Sequence, residues 1–162
     1  YKAFNPEFGT IEEFKEAVKQ AHDLGYSCEL YLDAKEKKYI DEAGAANFFG
    51  IKDNTYITPK SSSILPSITN RSLMQLAEDM GMTVEQRQIP EEELATFEEA
   101  GACGTAAVIS PVGKVVDHGK EICFPSGMTE MGEITKKLYD TLTGIQMGRI
   151  EAPEGWIHEI KL

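Results

Sequence analysis

The sequence predicts a single-domain chain of mixed α and β structure, and three observations carry that expectation. Its 162 residues suit one domain. Stretches with apolar residues at helical spacing alternate with shorter aliphatic and aromatic runs set between polar turns. No internal repeat or long linker divides the chain. A globular fold of this size buries roughly 70% of the surface its unfolded chain exposes, so a core is possible without disulfide or metal staples.

The elements follow in order. Tyr1 to Gly9 is irregular, broken by Pro6 and Gly9. Thr10 and Glu13 form a capping-box pair, and Ile11, Phe14, Val18 and Ala21 share one face, which predicts a helix from Ile11 to Leu24 ended by Gly25. Strands are predicted at Cys28–Leu32, Lys38–Asp41, Asn47–Ile51 and Thr55–Thr58. Ser61–Ser67 reads as a loop, and Leu73, Leu76, Ala77 and Met80 make a helical stripe closed by Gly81. Val84–Ile89 reads as a strand, and Pro90 opens a short acidic helix, Glu91–Glu99, whose glutamates read as a solvated face. Ala102–Pro111 is small and then apolar, which reads as a buried strand after a tight glycine-containing turn, and Val112-Gly113 turns it into another around Val115. A last helix runs from Thr129 to Leu142 with Gly144 past its end, and Leu142–Arg149 reads as structural.

Composition narrows the functions. With 16 basic and 27 acidic residues the net charge is −11, which repels phosphate backbones, and no basic patch opposes it, so nucleic acid is not an expected partner. No apolar run reaches the ~18 residues that suggest a membrane span. Cys28, Cys103 and Cys123 are odd in number, widely spaced and without histidine neighbours, so they read as reduced thiols of a cytoplasmic protein with no metal site. His22, His118 and His158 read as surface residues.

Three segments could carry chemistry, each with an ordinary alternative. Glu42, followed by Gly44 and Ala residues ahead of Asn47-Phe48-Phe49, is either a solvated turn residue or a half-buried carboxylate that needs a cationic partner, such as a protonated heterocyclic nitrogen. Ser63–Arg71 places small and hydroxylated residues at a helix start, either as a plain cap or as an anion site of free backbone N–H groups. Gly101–Ala107 holds only small side chains and Thr105, either a tight turn or a place where a ligand approaches the backbone. Cys103 within it lacks an activating base and reads as inert.

Taken in order, Glu-x-Gly-x-x-Asn-Phe-Phe from Glu42, Thr58-Pro59, Ser63-Ile-Leu-Pro-Ser-Ile-Thr69, Gly104-Thr-Ala-Ala-Val-Ile-Ser-Pro-Val112 and Leu138-Tyr-Asp-x-Leu-Thr-Gly-Ile-Gln-x-Gly148 resemble the class IV aminotransferases. Within that family the resemblance is greatest to the branched-chain amino acid aminotransferases, and it runs from about Gly25 to Trp156. It implies the carboxy-terminal α/β domain of the fold-type IV pyridoxal phosphate enzymes, a mixed sheet curved into a pseudo-barrel with helices outside. The family's smaller amino-terminal domain has no counterpart in residues 1–162, so this chain is not expected to turn over alone.

The resemblance also implies roles. Glu42 would pair with the pyridine nitrogen of pyridoxal 5'-phosphate; Leu65, Ser67, Ile68 and Thr69 would form the phosphate-binding turn; Thr105 and Ala106 would bind the substrate carboxylate, with the Thr105 hydroxyl also able to reach the phosphate. Ser67 stands where the family has glycine, and Asn70 intervenes before Arg71, a change that keeps the backbone donors. Ala107 and Ser110 occupy the positions of a Cys-x-x-Cys in some animal members, so no thiol switch is expected. Transamination needs a lysine bonded to the cofactor that also shuttles a proton. Ungapped alignment puts Pro6 at that position, and Lys2, four places earlier, is the candidate. The implied activity moves an amino group from leucine, isoleucine or valine to 2-oxoglutarate in a homodimer. The alternatives are a non-catalytic module that keeps a partial cofactor pocket or a dimer surface, and a related class IV transaminase or lyase.

Overall fold

The structure is a computed structural model that describes residues 10–125, 127–158 and 160, with the Phe14 side chain outside that description. Lys2 and the rest of residues 1–9 therefore lie outside the described residues. Among the described residues, three helices, α1 (Ile11–Asp23), α2 (Ile68–Asp79) and α3 (Glu133–Gln146), accompany nine strands. The strands are β1 (Leu30–Leu32), β2 (Ile40–Ala43), β3 (Ala46–Lys52), β4 (Thr55–Pro59), β5 (Thr83–Arg87), β6 (Glu99–Gly104), β7 (Val108–Pro111), β8 (Lys114–Asp117) and β9 (Lys120–Cys123). Strands β1 to β7 form one seven-stranded sheet, and β8 and β9 form a separate hairpin. These strands pair antiparallel except β4 with β5, which is reached through α2.

Local chemistry accounts for most boundaries. The Thr10 hydroxyl accepts from the Glu13 N–H and the Glu13 carboxylate accepts from the Thr10 N–H, so the capping box starts α1 as the sequence predicts. Gly81 follows α2 at φ +80°, a conformation that glycine adopts without strain.

Strand β3 is the hub. One of its edges pairs with β2 at Ala46 and Asn47 and with β4 from Gly50 to Lys52, while the other pairs with β6 from Asn47 to Ile51. Because side chains alternate along a strand, the sheet separates two cores. Phe49 and Ile51 face α2 and α3, where they pack with Tyr56, Leu73, Leu76, Leu138 and Leu142. Phe48 faces the other way, with Ile40, Ile57, Ile89, Leu94, Phe97 and Phe124. On each face a phenylalanine covers a glycine: a Cβ on Gly101 would lie 2.5 Å from Phe49, and one on Gly50 would lie 2.6 Å from Phe97.

Four expectations are corrected. The acidic helix is a 3-10 helix that stops at Thr96, and Glu99 is not a solvated helix residue but the first residue of β6, 8% exposed. Its carboxylate accepts from the N–H groups of Ile134 (3.0 Å) and Thr135 (2.7 Å), which caps α3. The cap residue of α3 is Gly132, which has no side chain to do this, and a Cβ there would collide with the Glu99 carboxyl group. Ala102–Pro111 is two strands, β6 and β7, folded at Thr105–Ala107. Helix α3 runs later than predicted, so Gly144 lies inside it, buried, where its missing side chain lets Ile150 fold back within 2.6 Å of a Cβ position. Strand β9 is not predicted, because Lys120-Glu121-Ile122-Cys123 has one apolar position with strong strand preference.

Candidate active site

The sheet brings the candidate segments to one place. Glu42 of β2 is the Cα partner of Asn47 on β3, and Asn47 is the partner of Cys103 on β6, so three adjacent strands carry Glu42, Asn47 and the approach to the Gly104–Val108 turn side by side. With strands spaced about 4.8 Å apart, the two outer positions are about 10 Å from one another. Asn47 lies on the face of Phe49, beneath α2.

Glu42 is half-buried, and its Oε1 accepts from the Leu65 N–H at 3.2 Å and from the Asn47 amide at 3.4 Å. Its other oxygen, Oε2, has no hydrogen-bond partner among the described residues. The solvated-turn alternative is thereby set aside: the carboxylate is tied to the loop that leads into α2. Asn47, 5% exposed, also donates to the Leu65 carbonyl at 3.1 Å.

At the start of α2 the cap and the free donors coexist. The Ser67 hydroxyl accepts from the Asn70 N–H at 3.2 Å, and the Arg71 N–H closes the first turn on the Ser67 carbonyl. The N–H groups of Ile68 and Thr69 have no acceptor among the described residues, so the positive end of α2 presents two open donors. Leu65 and Ile68 expose their side chains beside them, at 73% and 71%.

Asn70, the residue that interrupts the expected Thr-Arg pair, anchors this turn. Its Oδ1 accepts from the Tyr56 hydroxyl at 2.8 Å, its Nδ2 donates to the Thr58 hydroxyl at 3.0 Å, and Thr58 in turn donates to the Phe48 carbonyl at 2.9 Å. All three side chains are buried, so this polar chain pins α2 to β3 and β4.

Thr105 and Ala106 lie exposed at the tip between β6 and β7, and among the described residues their N–H groups form no backbone hydrogen bond. Val108 closes the turn at φ +61°, a conformation that costs a β-branched residue about 1–3 kcal/mol and that sets the direction of the preceding peptides. Cys103, 1% exposed just before the turn, has its thiol pushed up to about 12 by burial, as expected of an inert residue. Cys28 and Cys123 are free and exposed. His118 lies 2.6 Å from Asp117 in an exposed turn, with its side chain 97% exposed. A cavity of about 930 Å³ opens on the opposite face, against β1, β8 and β9; none of Glu42, Leu65, Ser67, Ile68, Thr69, Thr105 or Ala106 lines it.

Sequence reasoning misses Asn47 and Asn70 as site residues. The available signal is an amide in an otherwise apolar strand or helix turn, where a polar group must find partners once buried.

The site holds a carboxylate with one open oxygen, tied to a helix start with two open donors, and comparison with known proteins gives the family. The profile of the family described as Amino-transferase class IV matches residues 13–115. The chain belongs to that family. A branched-chain-amino-acid aminotransferase of Haemophilus influenzae is 56% identical over 134 residues, which is 82% of this chain and 39% of the relative. The crystal structure of the Escherichia coli branched-chain amino acid aminotransferase superposes with a TM-score of 0.73 at 33% identity, covering 85% of this chain and 43% of that one. Another branched-chain amino acid aminotransferase, from T.th. and solved with pyridoxamine 5'-phosphate, gives 0.72 at 27% identity over 88% of this chain and 45% of its own. The fold is therefore that of the branched-chain aminotransferases of fold type IV, and this chain spans about two fifths of the length of the curated relatives it matches. No described helix is long and apolar enough to cross a membrane.

Proposed function

We propose that this chain is the cofactor-binding domain of a pyridoxal 5'-phosphate-dependent branched-chain amino acid aminotransferase, with leucine, isoleucine and valine as amino donors and 2-oxoglutarate as acceptor. The observation that carries the proposal is the Glu42 carboxylate, half-buried, with Oε1 engaged by Leu65 and Asn47 and Oε2 open, joined through Leu65 to the helix start that presents the Ile68 and Thr69 N–H groups. That donor set fits an aromatic ring with a protonated nitrogen at one end and a phosphate at the other.

In this reading Glu42 Oε2 accepts from the ring N–H and keeps that nitrogen charged. The Leu65–Thr69 turn would hold the phosphate, through the Ile68 and Thr69 N–H groups and the Thr69 hydroxyl, with Ser67 holding the turn in shape. Thr105 and Ala106 donate their N–H groups to the substrate carboxylate, and the Thr105 hydroxyl reaches the phosphate. When bound, pyridoxal phosphate supplies the ring that takes up the electron pair released at the substrate Cα. Lys2 is the proposed covalent partner of the cofactor. The proposal extends to a cytoplasmic homodimer, with residues outside this chain completing the side-chain pocket.

Titration with pyridoxal phosphate, followed by borohydride reduction and peptide mass mapping, tests this reading. The expected result is a saturable absorbance change that Glu42→Ala abolishes, with any fixed label on Lys2. An unchanged spectrum in Glu42→Ala, or label scattered over surface lysines only, overturns it.

A further inference from the structure

Asn47 holds a position that the roles above leave unused. It is 5% exposed, it lies between Glu42 and Cys103 in the sheet, and its two amide hydrogens point at two acceptors: the Leu65 carbonyl at 3.1 Å and Glu42 Oε1 at 3.4 Å. Both neighbours are acceptors, so the amide must turn its nitrogen, not its oxygen, toward them. The Leu65 N–H returns to the same Oε1 at 3.2 Å, which closes a three-membered circuit of Glu42, Asn47 and Leu65.

The circuit joins two parts of the site that the backbone does not connect directly. Glu42 stands on β2, whereas Leu65 belongs to the loop three residues ahead of Ile68. With Asn47 fixed in the sheet by pairing on both sides, the loop cannot shift relative to the carboxylate without losing two hydrogen bonds. Two donors on Oε1 also leave Oε2 as the oxygen that meets a cation. An undirected carboxylate would offer either oxygen at variable angles.

We propose that Asn47 is a positioning residue of the cofactor site: it aims Glu42 Oε2 at the ring nitrogen and sets the span between that carboxylate and the phosphate-binding start of α2. The inference rests on the reading of the site as a pyridoxal phosphate site, and its test separates the two.

The 162-residue chain is titrated with pyridoxamine 5'-phosphate, which needs no lysine to bind, and the absorbance of the bound ring is followed across pH. The parent chain is expected to bind it and to hold the ring nitrogen protonated to higher pH than in free solution, and Glu42→Gln to remove that shift. Asn47→Leu, close in volume but without donors, is expected to bind about tenfold more weakly and to move the ring titration back toward its free value while thermal unfolding remains cooperative. A folded Asn47→Leu chain with the parent's affinity and ring titration overturns the positioning role and leaves the cofactor reading standing; a parent chain that does not bind overturns both. If Asn47→Leu does not fold, the parent decides by NMR. Slowly exchanging Asn47 side-chain amide protons that shift on adding pyridoxamine phosphate support the role, and averaged, freely exchanging ones overturn it.

Discussion

The two faces of β3 and β6 are built from the same strands yet closed in different ways. Toward α2 and α3, Phe49, Ile51, Leu73 and Leu138 are each 0% exposed and close-packed, and at the ends of the strands the same face changes from Phe49 to Asn47 and from Cys103 to the Thr105 turn. On the other face Phe48 is equally buried, but the packing gives way to a cavity of about 930 Å³ rimmed by Leu30, Leu32, Val115 and Ile122. The polar groups of the candidate site gather where the close-packed face ends, not at the large cavity. A site needs side chains held by a rigid surround, and the helix-covered face supplies it.

The largest test of this contrast removes the same atoms on each side. Leu138→Ala on the helix-covered face is expected to cost about 2–5 kcal/mol, whereas Leu30→Ala, at the cavity edge, is expected to cost under about 1.5 kcal/mol because little packing is lost there. Equal shifts in a denaturant midpoint would break the distinction. Next in size, Glu99→Gln removes the charge on β6 that caps α3 and is expected to cost about 1–2 kcal/mol, with faster amide exchange at Ile134 and Thr135. Exchange unchanged at both would show that α3 holds its place by packing alone.

The smallest effect concerns the open side. Asp33, between β1 and β2, accepts from the N–H groups of Glu36, Lys38 and Tyr39, which lower its carboxyl from the ordinary 3.8 to about 2. Because the folded value is depressed, its contribution is complete above pH ~4 and is lost as pH falls toward about 2. Amide exchange at Lys38 and Tyr39 should therefore rise over that interval while Phe49 and Leu138 stay protected; simultaneous loss would mean that the two faces unfold as one.

Much of the fold was legible in the sequence because the signals were local. The capping box at Thr10 and Glu13, the glycine after α2 and the aromatic and aliphatic run in β3 act within a few residues. The acidic stretch shows where such signals stop. Nothing near Glu99 in sequence distinguishes it from Glu98, and its partners lie 35 and 36 residues away at the start of α3. A tight turn within Gly101–Ala107 was legible, but its placement at Thr105–Ala107 was not, since Glu99–Gly104 is a strand and a valine at φ +61° closes the turn where glycine would have announced it.

By itself the sequence determined the family, the three α-helices and most of the strands, and Glu42, Leu65, Ser67, Ile68, Thr69, Thr105 and Ala106 as the candidate pocket residues, because those features reside in short ordered motifs. Only the tertiary structure decided that Glu42 is bound to Leu65 through Oε1, that Asn47 and Asn70 anchor the loop and first turn of α2 on either side, and that the large cavity lies on the other face. Those decisions depend on strand register and on hydrogen bonds between residues far apart in the chain, where the need of a buried polar group for a partner selects the neighbour.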